Sequence, residues 1–314
     1  MLPRLSFECL HGCSGCEMAL LDCGEQLLGL LDRVEIVHFP LLMDHKYHNP
    51  LSGASDEEGE IILPEAEIGL VSGGVANVEQ LQVARALRAQ CRTLISLGTC
   101  ATHGGIPALR NQWTSEETLQ TVFAYGSPEK ALLPSEVPAL LDRVYSVDEQ
   151  VAVDVALPGC PPRPEMMLEV IEALLRRESP DLAHKSVCET CPVIRKGKGQ
   201  GQGTMQRFLA NADYDPEEPV EQMRCLLEQG LLCMGPVTAG GCGGRETPLC
   251  IRARVPCRGC YGPVRPGGNQ LLDMMNGLAS NGIDYRSLVD RKSLLRFSGG
   301  HGLLKPARKR KESN

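Results

Sequence analysis

The first 180 or so residues alternate between two hydrophobic rhythms. Arg4–Cys9 and Val34–Leu42 are short apolar runs that predict strands, the second too short and too β-branched to favour a helix. Between them Leu20, Leu27, Leu28 and Leu31 recur at helical spacing. Glu67–Val71 predicts the next strand, ending in Ser72-Gly73-Gly74, and Asn77 then stands as N-cap of a helix with Val78, Leu81, Ala84 and Leu87 on one face. Thr93–Leu97 predicts a strand stopped by Gly98, and Val151–Leu157 another stopped by Pro158-Gly159. The helix after it has Pro164 in its first turn and an apolar face of Met167, Val170, Ile171, Leu174 and Leu175. Repeated strand–helix units predict an α/β fold with a mostly parallel, doubly wound sheet.

From about Leu182 the alternation fades into cysteines, glycines and prolines, ended by one helix with Leu271, Leu272, Met275 and Leu278. That shift divides the chain into a first domain over 1–180 and a second over 181–314, organised around something other than a large apolar core. The acidic stretch 56–60 reads as an exposed loop and 196–203 as a flexible segment.

Composition narrows the class. The 314 residues carry a net charge of −7, which argues against nucleic acid as a general partner. The basic end from Lys305 to Lys311 is the exception and reads as a solvated tail. Neither a signal-peptide pattern nor an apolar stretch of ~18 residues appears, so the expectation is a cytoplasmic protein without a membrane span. In that compartment 15 cysteines point to metal ligands rather than disulfides.

Three cysteine motifs occupy equivalent places. Cys13-Ser-Gly-Cys16 follows the first strand, Gly98-Thr99-Cys100 the fourth and Pro158-Gly159-Cys160-Pro161-Pro162 the last. Loops converge beyond the carboxyl ends of such strands, and four thiolates delivered there make a four-cysteine site. Structural zinc usually takes two short knuckles from one small module. Single cysteines drawn from distant loops favour an iron–sulfur cluster instead. Eight more cysteines follow: Cys188, Cys191, Cys225, Cys233, Cys242, Cys250, Cys257 and Cys260. Two CxxC pairs bracket four single thiols, enough for two further clusters, with zinc knuckles as the alternative. Cys9, Cys23 and Cys91 read as structural thiols, the first within a strand and the second on the first helix. No nucleotide fingerprint, Walker loop or nucleophile elbow is present. The turn Ser72-Gly-Gly-Val75 shapes the cluster loop or, less simply, cradles a phosphate.

The run from Leu10 to Asp22 around Cys13 and Cys16, with Gly98-Thr-Cys100-Ala and its following Gly104-Gly105-Ile106-Pro107, and the Cys160 motif resemble the small subunits of NiFe hydrogenases. The match is nearest to the methyl-viologen-reducing, heterodisulfide-reductase-linked type. The resemblance implies a flavodoxin-like domain carrying a proximal 4Fe–4S cluster on Cys13, Cys16, Cys100 and Cys160, followed by a smaller, irregular cluster domain. There the distal cluster usually takes His-x-x-Cys, here replaced by Cys188-Glu-Thr-Cys191, with Cys225 and Cys233 completing it. His184 lies nearby at the wrong spacing for the motif. Cys242, Cys257 and Cys260 fit the medial cluster. Cys250 adds a fourth thiolate where many relatives have Pro, implying 4Fe–4S there too and a lower potential. Three such clusters would carry electrons from H2, split at a separate large subunit, to an iron–sulfur or flavin acceptor such as a heterodisulfide-reductase-type complex. Many relatives have Glu directly before the first CxxC, whereas here Gly12 stands, so no proton-transfer residue is carried over. Glu8 and Glu17 flank the motif and read as solvated or helix-N-terminal carboxylates. A subunit of a quinone-reducing complex shares the N-terminal pattern but has no need of the eight later cysteines, and a zinc-stabilised scaffold is the other alternative.

Overall fold

The computed structural model describes residues 2–47, 61–123, 137–182, 184–197, 203–205, 215–244 and 246–306. The acidic stretch 56–60, residues 198–202 of the flexible segment and the basic end beyond 306 lie outside them. The chain divides into two compact units, Met1–Ser179 with Gly299–Asn314, and Pro180–Ser298. The chain from Gly299 onward therefore belongs with the N-terminal unit.

The first unit is built on a five-stranded sheet of β1 (Arg4–Cys9), β2 (Glu35–His38), β3 (Ala66–Ser72), β5 (Cys91–Leu97) and β7 (Val155–Leu157), ordered β2-β1-β3-β5-β7. Every pairing is parallel. Counting only these strands in chain order, the sheet runs 2-1-3-4-5, the doubly wound order of flavodoxin-like folds. The central strands read as continuous apolar runs because both faces are covered: Phe7, Leu70, Val71, Leu94, Ile95 and Leu97 are all buried. A separate antiparallel pair joins β4 (Val75–Asn77) to β6 (Leu140–Tyr145).

The helices are α1 (Gly15–Leu21), α2 (Glu25–Leu31), α3 (Val78–Gln90), α4 (Gly98–His103), α5 (Ser115–Phe123) and α6 (Pro164–Leu175). Asn77 caps α3 as the sequence predicts, its side chain accepting the Gln80 N–H at 2.8 Å. In α6 Met167, Val170 and Ile171 are buried, while Leu174 and Leu175 in the last turn are only half-buried.

Three expectations need correction. The strand expected over Val34–Leu42 stops at His38: Phe39 stacks on Phe7 with ring centroids 4.7 Å apart, and Pro40 opens a turn in which Leu42 and Met43 donate to the Phe39 carbonyl. The helical spacing of Leu20 to Leu31 belongs to two short helices separated by a turn at Gly24 (φ +57°), so Cys23 lies in that turn, and Leu28 is 62% exposed. The strand expected over Val151–Leu157 is only its last three residues. The Asp154 carboxylate accepts the Leu94 N–H at 2.7 Å, and Val151 is held in a turn by the Val147 carbonyl.

The second unit holds α7 (Leu249–Arg252) and α8 (Gln270–Ser280) among turns and short 3-10 segments. A small cluster of Val193, Met223, Leu226, Leu231 and Ile251 forms a core against which Cys191 and Cys225 pack. The buried face of α8 is Gln270, Met274 and Leu278, not the predicted Leu271, Leu272 and Met275; Leu272 is 55% exposed.

Candidate cluster sites

Each cysteine motif of the first unit stands at the carboxyl end of a parallel strand. Leu10 and His11 carry the chain out of β1, and His11 exchanges both backbone hydrogen bonds with Gly74, which sets the glycine turn after β3 against the segment leading to Cys13. A side chain at Gly73 (φ +79°) would press on the His11 backbone. Cys100 lies in α4, directly after β5. Its loop is tied to that of Cys160 by Thr99 N–H to the Gly159 carbonyl (2.8 Å) and Gly159 N–H to the Thr99 hydroxyl (2.9 Å).

The four thiols come together. Cys16 is pushed far above the ordinary thiol range, first by burial, then by the Glu17 carboxylate and by Cys100, Cys160 and Cys13. Cys100 is pushed up to about 12 by burial, with Cys160 and Cys13 adding to it. Burial, then Cys13, raises Cys160. Cys13 and Cys160 are exposed and the other two half-buried. Gly98 (φ +81°) adjoins the Cys16 sulfur, where an added Cβ would collide with it.

Glu8 and Glu17 are both buried, at 3% and 2% exposure, which corrects the solvated reading of each. Glu17 does lie in the first turn of α1, where it accepts the Ser72 hydroxyl, and its Oε2 has no partner among the described residues. Glu8 turns to the opposite side of β1. Its Oε2 lies 2.7 Å from His38 Nε2, and it accepts the Tyr47 hydroxyl at 3.0 Å.

In the second unit the cysteines lie near one another. Cys188 is pushed up to about 12, first by burial and then by Cys233, with Cys191 and Cys225 also acting on it and Arg195 opposing. Cys191 is raised by burial and feels Cys225. The backbone brings these together: Ile194 N–H donates to the Met223 carbonyl and Cys225 N–H to the Ile194 carbonyl. Burial also raises Cys242, with Cys250 next among the charges acting on it. Cys257 is driven up by burial, then by Cys233, Cys250 and Cys260. His184 is exposed.

Among the described residues no three His, Cys, Asp or Glu side chains form a group tight enough for one metal ion. A set made of thiols alone, drawn from separate loops, is the donor set that an iron–sulfur cluster takes. Two residues around these groups escaped the sequence reading. Arg195 gives no signal there, whereas Glu228, 2% exposed within a run of leucines, is an unpaired-looking acid that marks a buried anchor.

A parallel 2-1-3-4-5 sheet presenting thiols at its carboxyl edge, followed by a cysteine-built unit, defines an iron–sulfur electron-transfer protein. The family described as NADH ubiquinone oxidoreductase, 20 Kd subunit, matches residues 13–174. A subunit of the F420-non-reducing hydrogenase of Methanothermobacter marburgensis is 36% identical over 90% of this chain and 84% of its own length. A vhu subunit of the F420-non-reducing hydrogenase of Methanocaldococcus jannaschii is 37% identical, covering 91% of each. A chain of the crystal structure of an NAD+-reducing NiFe hydrogenase is 34% identical, with TM-score 0.51, over 58% of this chain and 95% of that one. The chain belongs to the family of NiFe-hydrogenase small subunits, with these F420-non-reducing hydrogenase subunits as its relatives. It is thus the electron-transfer component of an oxidoreductase, a subunit with iron–sulfur clusters and a large-subunit partner. Among the described residues no helix is long and apolar enough to cross a membrane.

Proposed function

We propose that the chain carries three 4Fe–4S clusters and conducts electrons from H2, oxidised in the large subunit, to an external iron–sulfur or flavin acceptor of the heterodisulfide-reductase type in the cytoplasm. Cys13, Cys16, Cys100 and Cys160 hold the proximal cluster, Cys242, Cys250, Cys257 and Cys260 the medial one, and Cys188, Cys191, Cys225 and Cys233 the distal one. The observation that supports this is the closeness of the thiols: Cys16 and Cys100 are raised by burial and by other thiols of the first set, and Cys188 and Cys233 by burial and by other thiols of the distal set. Buried thiolates repelling one another are costly alone and are relieved by a cationic iron core.

When bound, the clusters supply one-electron storage at low potential. The protein's part is to hold and insulate. α4 and the loop after β7 fix Cys100 and Cys160 relative to each other, and Gly98 leaves room beside the Cys16 sulfur. In the second unit N–H groups of Gly235 and Cys257 point at Cys233 and offset part of its charge, although burial still pushes that thiol up to about 12.

Iron and sulfide analysis of the purified complex tests this. The expected content is about twelve of each per small subunit, three clusters of four. Two zinc ions and no sulfide in the second unit would end the reading.

A further inference from the structure

The surroundings of the thiol sets differ in sign of charge. After burial, the strongest influence on Cys16 is a carboxylate, that of Glu17. The thiols of Cys188 and Cys191 instead both feel the positive charge of Arg195.

Arg195 is fixed in that place. Its Nη2 donates to the Cys188 carbonyl at 2.6 Å, closing the CxxC turn on itself. The next two residues are anchored from below: Lys196 and Gly197 N–H groups both donate to the buried Glu228 carboxylate, each at 2.9 Å. Among the described residues no carboxylate pairs with Arg195. Glu228 is taken by those backbone groups and Glu189 by Lys185, 2.9 Å away. Hydrogen-bonded to the carbonyl of a cluster ligand, the guanidinium is close enough to act on the Cys188 and Cys191 thiols.

We propose that Arg195 raises the reduction potential of the cluster on Cys188, Cys191, Cys225 and Cys233. The inference rests on the ligand assignment above. Each arriving electron adds one negative charge to this set; the inner donor is oxidised, and the external one-electron acceptor is reduced when the charge moves on. A fixed cation stabilises the reduced state more than the oxidised one. Because the guanidinium is exposed, solvent screens the effect to the scale of a surface charge pair, about threefold in the reduction equilibrium.

The test is an electron-paramagnetic-resonance redox titration of the assembled hydrogenase, unaltered and with Arg195→Gln or Arg195→Lys. The Gln variant should lose about threefold in the distal reduction equilibrium, about 28 mV at ~59 mV per tenfold for one electron. The Lys variant should keep most of it. A distal midpoint unmoved by Gln, or moved as far by Lys, overturns the role of Arg195. If the Gln variant fails to load iron, Arg195→Ala is titrated in its place, and an unmoved distal midpoint overturns the proposal. Iron analysis of the same samples separates the two failures. About twelve irons with an unmoved midpoint removes Arg195 alone, whereas zinc in place of iron removes the ligand assignment and this role with it.

Discussion

The backbone N–H of Cys257 points at the sulfur of Cys233, 3.3 Å away, while Met234 N–H returns a 2.9 Å hydrogen bond to the Cys257 carbonyl. In the proposed assignment the two residues belong to different clusters, which would then share this piece of main chain. Gly235 adjoins both residues: an added Cβ would lie 3.6 Å from the Cys233 sulfur and 3.9 Å from the Cys257 Cβ, as well as 3.1 Å from the Cys188 sulfur. A change in one set should therefore be felt in the other, through fixed dipoles directed at sulfur.

Cys250 offers the cleanest access to the medial set. It is the second residue of α7, after Pro248 at the N-cap, where a backbone N–H has no intrahelical acceptor to lose. Cys250→Pro should fold, since proline is tolerated in a first helical turn. With one thiolate removed, the medial cluster should change from a four-iron to a three-iron resonance. Iron content should fall by about one per chain. An unchanged four-iron signal would show that Cys250 is no ligand.

Gly98→Ala addresses the first set. The residue is left-handed (φ +81°), and its Cβ would meet the Cys16 sulfur. The variant should lose the proximal cluster selectively, about four irons per chain, and leave the other two resonances in place. Full iron occupancy would refute the account of Gly98 as the residue that makes room for that sulfur.

Legibility in the sequence followed period and chemistry. β1, β3 and β5 were readable because buried parallel strands are continuous apolar runs with glycine stops, and α3 because Asn77 announces it. β2 and β7 were overestimated because Phe39 and Val151 are apolar for packing reasons while their backbones are already in turns. The face of α8 was misjudged because Gln270, a polar residue, is 1% exposed and donates to the Thr238 hydroxyl at 3.2 Å. The family was legible from the cysteine motifs and the resemblance they carry. Arg195 and the pairing of Glu8 with His38 were not, since both depend on contacts that no local pattern encodes.

Two histidines of the first unit should titrate in opposite directions. His301 Nε2 lies 2.9 Å from Asp148 Oδ2, and this bond raises its pKa. His103, at the end of α4, is brought down to about 4, first by burial and then by His301. The His301 contribution to stability is fully present below about pH 6.5 and is lost as pH rises through its raised value. For His103 the unfolded chain binds the proton first, so its contribution is lost as pH falls from about 6.5 towards 4. The histidine pair should be most stabilising near pH ~6.5. Asp148→Asn should lower stability on the acid side of that point and change it far less at pH ~9. Thermal unfolding across that range, with imidazole resonances followed by NMR, measures both. A single histidine midpoint near the unperturbed value for each ring would contradict the geometry.

Glu8 gives a structural rather than a redox prediction. His38 is fully buried, its Nε2 is served by Glu8, and its Nδ1 has no partner among the described residues. The Tyr47 hydroxyl also depends on Glu8. Glu8→Ala strands both groups at once, and leaving a buried polar group unsatisfied costs about 1–3 kcal/mol. Glu8→Gln retains one acceptor oxygen and should cost less. Combining Glu8→Leu with His38→Leu removes both partners and should recover part of the loss, because the desolvation penalty disappears with them. Thermal unfolding of the assembled protein should therefore rank unaltered, then Gln, then Ala from highest to lowest midpoint. Because Glu8 is engaged by His38 and Tyr47, the proximal resonance should be unchanged in every folded variant. A Glu8→Ala protein with an unaltered midpoint would mean that this buried network carries no stability, and a shifted proximal resonance would place Glu8 in the electronic surroundings of the cluster.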